Sequence, residues 1–324
     1  MSVTIKDIAK ACNISYSSVS RVLNGKTRRE TAKTKLIKET AEALGYKPNV
    51  LAVNLVRKTS NMIGLIVPDI ANPHYSEITK CVEDEALKFG YDLFLCSTDW
   101  NTDREVRYRD SLLNNRVAGM IVMPVRDESH ALFRKLDIPV VLLGSRTEEP
   151  ELNYAVMDNE KAGYLGAKHL IQNGYKNLCY IDRKIRNYTS SDRLRGFEKA
   201  SQEYHIDSAR IVTSDSFGMQ GGIHIVEQMF IEENIPNGFL TFNDFLALGA
   251  MQGVEERALT IGKDIGIVGY DNVAFSSLHK IGLTSIAPSH EELARIAIRM
   301  IANEEQGKSV IVEPHLYERT SCII

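Results

Sequence analysis

Within the stretch TIKDIAKACNISYSSVSRVLNG, Thr4 to Gly25, the residues Tyr16, Ser17, Ser18, Ser20 and Arg21 crowd together where a core helix would carry leucines. Short hydroxyls can donate to a phosphate or to the edge of either kind of base pair, and an arginine can make a two-bond contact to guanine or clamp a phosphate. A second set of polar residues follows short apolar runs: Asn72-Pro73-His74-Tyr75, Asn243-Asp244 and Tyr270-Asp271-Asn272. Amides and carboxylates in such places bind the hydroxyls of small molecules.

The elements that must hold the first set are short helices. Thr4 and Asp7 have the spacing of a capping box, so a helix starts there, and Ile5, Ile8, Ala9 and Cys12 share one face of it. Asn13-Ile14 interrupts the pattern, and Ser15 stands where it caps a second helix whose Val19, Val22 and Leu23 face inward. Two such helices with a tight turn make a helix-turn-helix. A third helix is predicted from about Thr31 to Leu44, stopped by Gly45 in a left-handed cap.

Charge separates this head from the remainder. Residues 1–60 carry twelve Lys and Arg against four Asp and Glu, a balance of +8; with a net charge of -3 overall, the remainder carries -11. A basic head on an acidic body is the arrangement expected when only the head meets a polyanion. Pro48-Asn49 ends the third helix, and Val50 to Val56 is helix-forming but too short to be stable alone.

From Met62 onward, apolar runs alternate with amphipathic helices: Met62 to Val67, Leu93 to Cys96, Met120 to Met123, Val140 to Leu143, Leu178 to Ile181, Phe239 to Phe242 and Ile265 to Val268. Continuous apolar strands separated by helices indicate parallel sheets covered on both faces. The pattern restarts near Asp158, which predicts two doubly wound lobes, with ligands bound beyond the carboxyl ends of the strands. His74, Tyr75, Asn243 and Asp271 are the candidates there; Asp244 is assigned as the cap of the helix that follows it, and Trp100 as either cleft wall or surface.

Several classes are excluded. The chain has no GxSxG elbow, P-loop, HExxH or glycine fingerprint, so an enzyme is not expected. Its five cysteines lack a CxxC pair and its histidines are scattered, so neither a metal nor another cofactor is expected. No run of about 18 apolar residues and no signal peptide is present, which predicts a cytoplasmic protein without membrane association.

The segment TIKDIAKACNISYSSVSRVLNG, the third helix and then LGYKPNVLAVNLVRK together resemble the head and hinge of the LacI/GalR bacterial transcription regulators, and the resemblance extends over essentially the whole chain. It implies that Tyr16, Ser17 and Arg21 lie at base-reading positions, with Thr4, Ser15, Ser18, Ser20 and Asn24 near the phosphate backbone. It also implies that Ala52 and Asn54 line the minor groove and that Leu55 wedges a central base step. In the body it implies that Arg193 and Phe217 hold and stack on an effector. Leu143-Gly144-Ser145 departs from the family, many of whose members carry a sugar-holding aspartate there, which argues against a plain hexose.

The expected fold is thus an N-terminal all-α helix-turn-helix head plus an α/β core of two doubly wound parallel-sheet lobes, periplasmic-binding-protein-like. The expected division is 1–47 head, 48–60 hinge helix and linker, and 61–324 core, with a first lobe of about 61–158 and 288–319 and a second of about 159–287 and 320–324. The expected partners are a double-stranded, pseudo-palindromic DNA operator, a small-molecule effector (sugar, sugar derivative or nucleobase-like) and a second copy of the chain. An ending at Ile324, just after the last strand, favours a dimer over a tetramer.

Overall fold

Thr4 and Asp7 close the first turn of helix α1 (Ile5–Cys12), the Asp7 carboxylate accepting from the Thr4 amide at 2.8 Å and from its hydroxyl at 2.7 Å. The coordinates are a computed structural model that describes residues 3–23, 27, 31–46, 60–184, 187–216, 218–232 and 235–323. They form two units, Met1–Ser60 and Asn61–Ile324, taken here one at a time.

In the first unit, Asn13 ends α1 in the left-handed region at φ 53°, a conformation asparagine tolerates, and the chain turns into α2 (Tyr16–Leu23). Helix α3 (Ala32–Ala43) starts at Thr31, whose hydroxyl accepts from the Thr34 amide, and Gly45 follows it at φ +66°. Ile8, Val19, Ile37 and Ala41 are the buried centre where the three helices meet.

The second unit holds two sheets. The first contains β1 (Met62–Val67), β2 (Asp92–Ser97), β3 (Gly119–Val122), β4 (Val140–Leu143), β5 (Asn153–Met157) and β11 (Ser309–Val312), all parallel in the order β11-β5-β4-β3-β1-β2. Helices α4 (Pro73–Lys88), α5 (Thr102–Asn114) and α10 (His290–Ala302) pack on it. The second contains β6 (Leu178–Arg183), β7 (Arg210–Ser214), β8 (Gly238–Thr241), β9 (Gly266–Tyr270), β10 (Thr284–Ala287) and β12 (His315–Tyr317), in the order β12-β10-β9-β8-β6-β7. Helices α6 (Asn159–Gln172), α7 (Tyr188–Glu203), α8 (Met219–Ile231) and α9 (Asp244–Glu255) cover it.

The apolar-run reading found the central strands β1, β3, β4, β6, β8 and β9, which are buried along almost their whole length. It missed β7, β11 and β12, edge strands that expose alternate residues, and β5 and β10, which place Asn153, Thr284 and Ser285 inside. Two further corrections follow from β12. It pairs antiparallel with β10, Ile286 opposite Leu316, so the second sheet is parallel except at one edge, a common site for such a strand. The third crossing between lobes therefore falls at Glu313-Pro314, between β11 and β12, and not near Thr320; residues 315–319 belong with the second lobe. The chain also passes from one sheet to the other after Met157 and back after Ala287.

Candidate functional site

On α2 the inward positions and the polar positions separate as helical spacing requires. Val19 is buried, while Ser15, Ser17 and Arg21 are exposed and Tyr16 keeps 54% of its surface. Ser17 and Arg21 lie one turn apart, and the Arg21 Nε reaches back to the Ser17 carbonyl at 3.4 Å. Ser18 and Ser20 are half-buried beside them, with Ser15 donating to the Ser18 hydroxyl at 3.0 Å, and Thr4 is exposed at the start of α1. Asn24, Ala52, Asn54 and Leu55 lie outside the described residues.

The carboxyl ends of the two sheets face each other across a cavity of about 100 Å³. Five of the six effector-binding candidates line it: His74 and Tyr75 from the first lobe, Arg193, Asn243 and Asp271 from the second. Phe217 lies outside the described residues. Asn72 caps α4 by accepting from the His74 amide at 3.1 Å, which points the imidazole across the cleft, its Nδ1 3.6 Å from Asp271 Oδ1. Asp271 sits in the left-handed region at φ 98°. Burial, with Asp271 nearby, drives the Tyr75 phenol above its ordinary range. His290 meets the His74 ring edge to face at 5.3 Å, and burial pushes its pKa down to about 4.

Arg193 is held from three sides. Its Nε donates to Asn159 at 2.9 Å, its Nη1 to the Phe242 carbonyl at 2.6 Å, and its guanidinium lies 4.2 Å from the Tyr270 ring. Two glycines set the helix that carries it. A Cβ at Gly163 of α6 would run into the Arg193 carbonyl, and one at Gly196 of α7 into the Glu160 carbonyl, so the backbones touch where no side chain fits.

Helix α9 is capped differently from expectation. Asn243, not Asp244, is the cap, its side chain accepting from the Leu246 amide at 2.8 Å. Asp244 is fully buried and accepts from Ser276 and Ser285 at 2.6 Å each and from the Val273 amide at 2.9 Å. Those bonds come from strands and turns that a local capping argument does not contain. Burial, then Asp271, pushes its pKa up to about 8, so near neutrality it keeps its proton and braces the loop carrying Asp271.

Bonds between the lobes line both rims. Arg146 makes a two-bond pair with Asp192, the Tyr188 amide donates to Asp127 at 2.7 Å, Thr189 donates to the Gly144 carbonyl at 3.2 Å, and the Ala274 amide donates to Glu77 at 2.9 Å. The arrangement is an inter-lobe cavity whose wall mixes apolar side chains with a few convergent polar ones, which is binding geometry.

Residues 4–49 match the model of bacterial regulatory proteins of the lacI family, and residues 60–320 match that of periplasmic binding proteins and the sugar binding domain of the LacI family. The catabolite control protein A of Priestia megaterium is 31% identical over 98% of each chain. The chain belongs to the LacI family. Another relative of this LacI-family chain, the transcriptional repressor PurR of Mannheimia succiniciproducens, is 31% identical over 98% of each chain. Among solved structures, a lac repressor dimer bound to operator and the anti-inducer ONPF superposes with a TM-score of 0.88 at 25% identity, over 100% of both chains.

This LacI-family protein is accordingly a transcription regulator and not an enzyme, and among the described residues no helix is long and apolar enough to cross a membrane. Of the two places the sequence leaves open for Trp100, cleft wall or surface, the structure shows the first, and the cleft also contains residues that the sequence reading passed over. Trp100 is cavity wall, and Arg183 lies between the Trp100 ring at 5.6 Å and the Phe242 ring at 5.5 Å. The signal was present, since Arg183 follows the run Leu178 to Ile181 as Asn243 and Asp271 follow theirs. Asn159, Asn187 and Thr189 also line the cavity from helix starts, where local sequence reads only as capping.

Proposed function

We propose that this LacI-family protein is a ligand-controlled, sequence-specific DNA-binding repressor that works as a homodimer in the bacterial cytoplasm. The observation that carries the reading is the cavity between two lobes that bond to each other across its rims, lined by His74, Tyr75, Arg193, Asn243 and Asp271, in a chain that also bears a head with an exposed Tyr16, Ser17 and Arg21 face. Tyr16, Ser17 and Arg21 read base edges; Thr4, Ser15, Ser18, Ser20 and Asn24 contact phosphates; Ala52, Asn54 and Leu55 enter the minor groove. Residues 1–47 are the head, 48–60 the hinge, and 61–324 the effector-binding core.

A small molecule (sugar, sugar derivative or nucleobase-like) is held by His74, Tyr75, Arg193, Phe217, Asn243 and Asp271. Exposed Leu87, Phe89, Phe94 and Leu95, where α4 leads into the edge strand β2, provide an apolar face for the second protomer. Two heads then read a pseudo-palindrome, and closure of the cleft changes the spacing of the hinges. Coupling between effector and operator is reciprocal.

The test is selection of bound sequences from a random DNA pool with the full chain at two salt concentrations, followed by the Asp271→Ala variant. Enrichment of a pseudo-palindrome, with Asp271→Ala binding it but deaf to effector, supports the reading. Binding that is strong at low salt, lost at high salt and indifferent to sequence refutes it.

A further inference from the structure

Tyr188 opens α7 in the second lobe, and its ring lies against two side chains of the first. The His130 ring stacks on it, with 6.2 Å between centroids and 19° between planes, and the Arg146 guanidinium stands 4.2 Å from its centre. Asn187 and Thr189, on either side of Tyr188 in the chain, line the cavity.

The first-lobe half of this contact is held from within its own lobe. His130 is 3% exposed on a short 3-10 helix, Asp127–Phe133, whose Ser129 and Phe133 are buried beside it. Burial pushes the His130 pKa down to about 4, so near neutrality the ring carries no charge and packs as a flat, weakly polar surface. Its Nε2 lies 3.3 Å from the hydroxyl of Ser145, which lines the cavity. Glu105 of α5, fully buried, accepts from the Val125 amide at 3.1 Å and so ties the loop after β3 to the body of the lobe.

The second-lobe half is the start of α7. The Tyr188 amide donates to Asp127 at 2.7 Å, the Thr189 hydroxyl donates to the Gly144 carbonyl at 3.2 Å, and Asp192 takes both bonds from Arg146. Arg193 follows directly and lines the cavity. Within roughly two turns of helix, cavity contacts and contacts to the opposite lobe therefore alternate on one rigid element, and neither set can shift without the other. An exposed ion pair alone would hold such a rim weakly, whereas a ring stacked on a second ring and on a guanidinium adds buried area and directional attraction.

We propose that Tyr188 is the latch of the cleft, a positioning residue whose ring, seated against His130 and Arg146, holds the lobes together and sets Asn187, Thr189 and Arg193 for the ligand. The role given to those three residues rests on the reading of the cleft as the effector site. The docking of the ring is a property of the chain without ligand, and it is tested there.

Trp100 is the single tryptophan of the chain and lies on the cavity wall, so acrylamide quenching of its fluorescence in the unliganded full chain reads how far the cleft opens. Hydrogen exchange followed by mass spectrometry reads the two halves of the latch, residues 127–133 and 187–193. Tyr188→Ala should raise the quenching and speed exchange in both segments by about tenfold, while the central strands β6 and β8 keep their protection. Tyr188→Phe keeps the ring and should match the parent chain.

His130→Ala changes only the first-lobe half. It should nevertheless speed exchange in 187–193 on the far side of the rim, and it carries the test if Tyr188→Ala melts out by circular dichroism. A helix merely weakened at its own start would exchange faster in 187–193 alone. Faster exchange confined to the substituted segment, quenching unchanged in both alanine variants, or Tyr188→Phe behaving like Tyr188→Ala overturns the proposal. Since no ligand enters these measurements, such a failure removes the latch and leaves the effector reading to stand or fall on the Asp271→Ala experiment.

Discussion

Arg146 of the first lobe and Asp192 of the second meet across the rim of the cleft in two parallel bonds, Nε to Oδ2 at 2.8 Å and Nη2 to Oδ1 at 3.1 Å. The Arg146 guanidinium also lies 4.2 Å from the centre of the Tyr188 ring, so pairing and stacking fix it together. Its side chain is 30% exposed, and solvent screening reduces what the pair contributes to closure to about 1 kcal/mol.

Arg146→Gln should therefore open the empty cleft and weaken effector binding by roughly fivefold. Small-angle scattering of the unliganded chain measures the first effect. A double-variant cycle with Asp192→Asn measures the second; strictly additive losses would deny that the two residues act as a pair.

The head allows a sharper test. Arg21→Ala should cost about 1–3 kcal/mol on the preferred DNA and relax the preference at one base pair, as expected of the exposed guanidinium proposed to read a base edge. Ser18→Ala should weaken binding by a similar factor on every sequence, as loss of a phosphate contact does. Competition titrations on single-base operator variants distinguish the two, and a uniform loss for Arg21→Ala would reassign it to the backbone.

Gly163→Ala tests how Arg193 is placed. The added methyl meets the Arg193 carbonyl, so α6 and α7 must part, at about 1–3 kcal/mol in stability. Urea unfolding should show that loss, with effector affinity falling alongside it. Since Gly196→Ala spreads the same pair of helices against Glu160, the two variants together should cost less than their sum. Unaltered stability in either variant would mean that the helices are not held this closely.

Asp244 gives stability a pH dependence of predictable sign. Folded, its carboxyl keeps its proton up to about 8, while in the unfolded chain it ionises at the ordinary carboxyl value of 3.8. The folded state binds the extra proton between those values, so stability falls as the pH rises from about 4 towards 8. Asp244→Asn removes that slope. Denaturation midpoints of both proteins at pH 5 and pH 8 make the comparison, and parallel behaviour would show that Asp244 does not titrate in this window.

By itself the sequence determined the three helices of the head, because their signals are local. Thr4 with Asp7, Thr31 as a cap and Gly45 as a stop act within one turn, and the 3.6-residue period of Ile8, Val19 and Ile37 needs no knowledge of distant chain. It also placed His74, Tyr75, Arg193, Asn243 and Asp271 on one cavity; all but Arg193 follow from strand ends of parallel sheets, and Arg193 was carried by the family resemblance.

Tertiary structure alone decided the rest. Asp244 became a buried brace instead of a cap because Ser276 and Ser285, 32 and 41 residues away, came within hydrogen-bond reach. Arg146 found Asp192 over a separation of 46 residues, and β12 joined the second sheet because β10 offered it a free edge. Such pairings carry no periodicity along the chain. They arise when packing brings distant polar groups out of water together, and only the folded geometry specifies which groups those are.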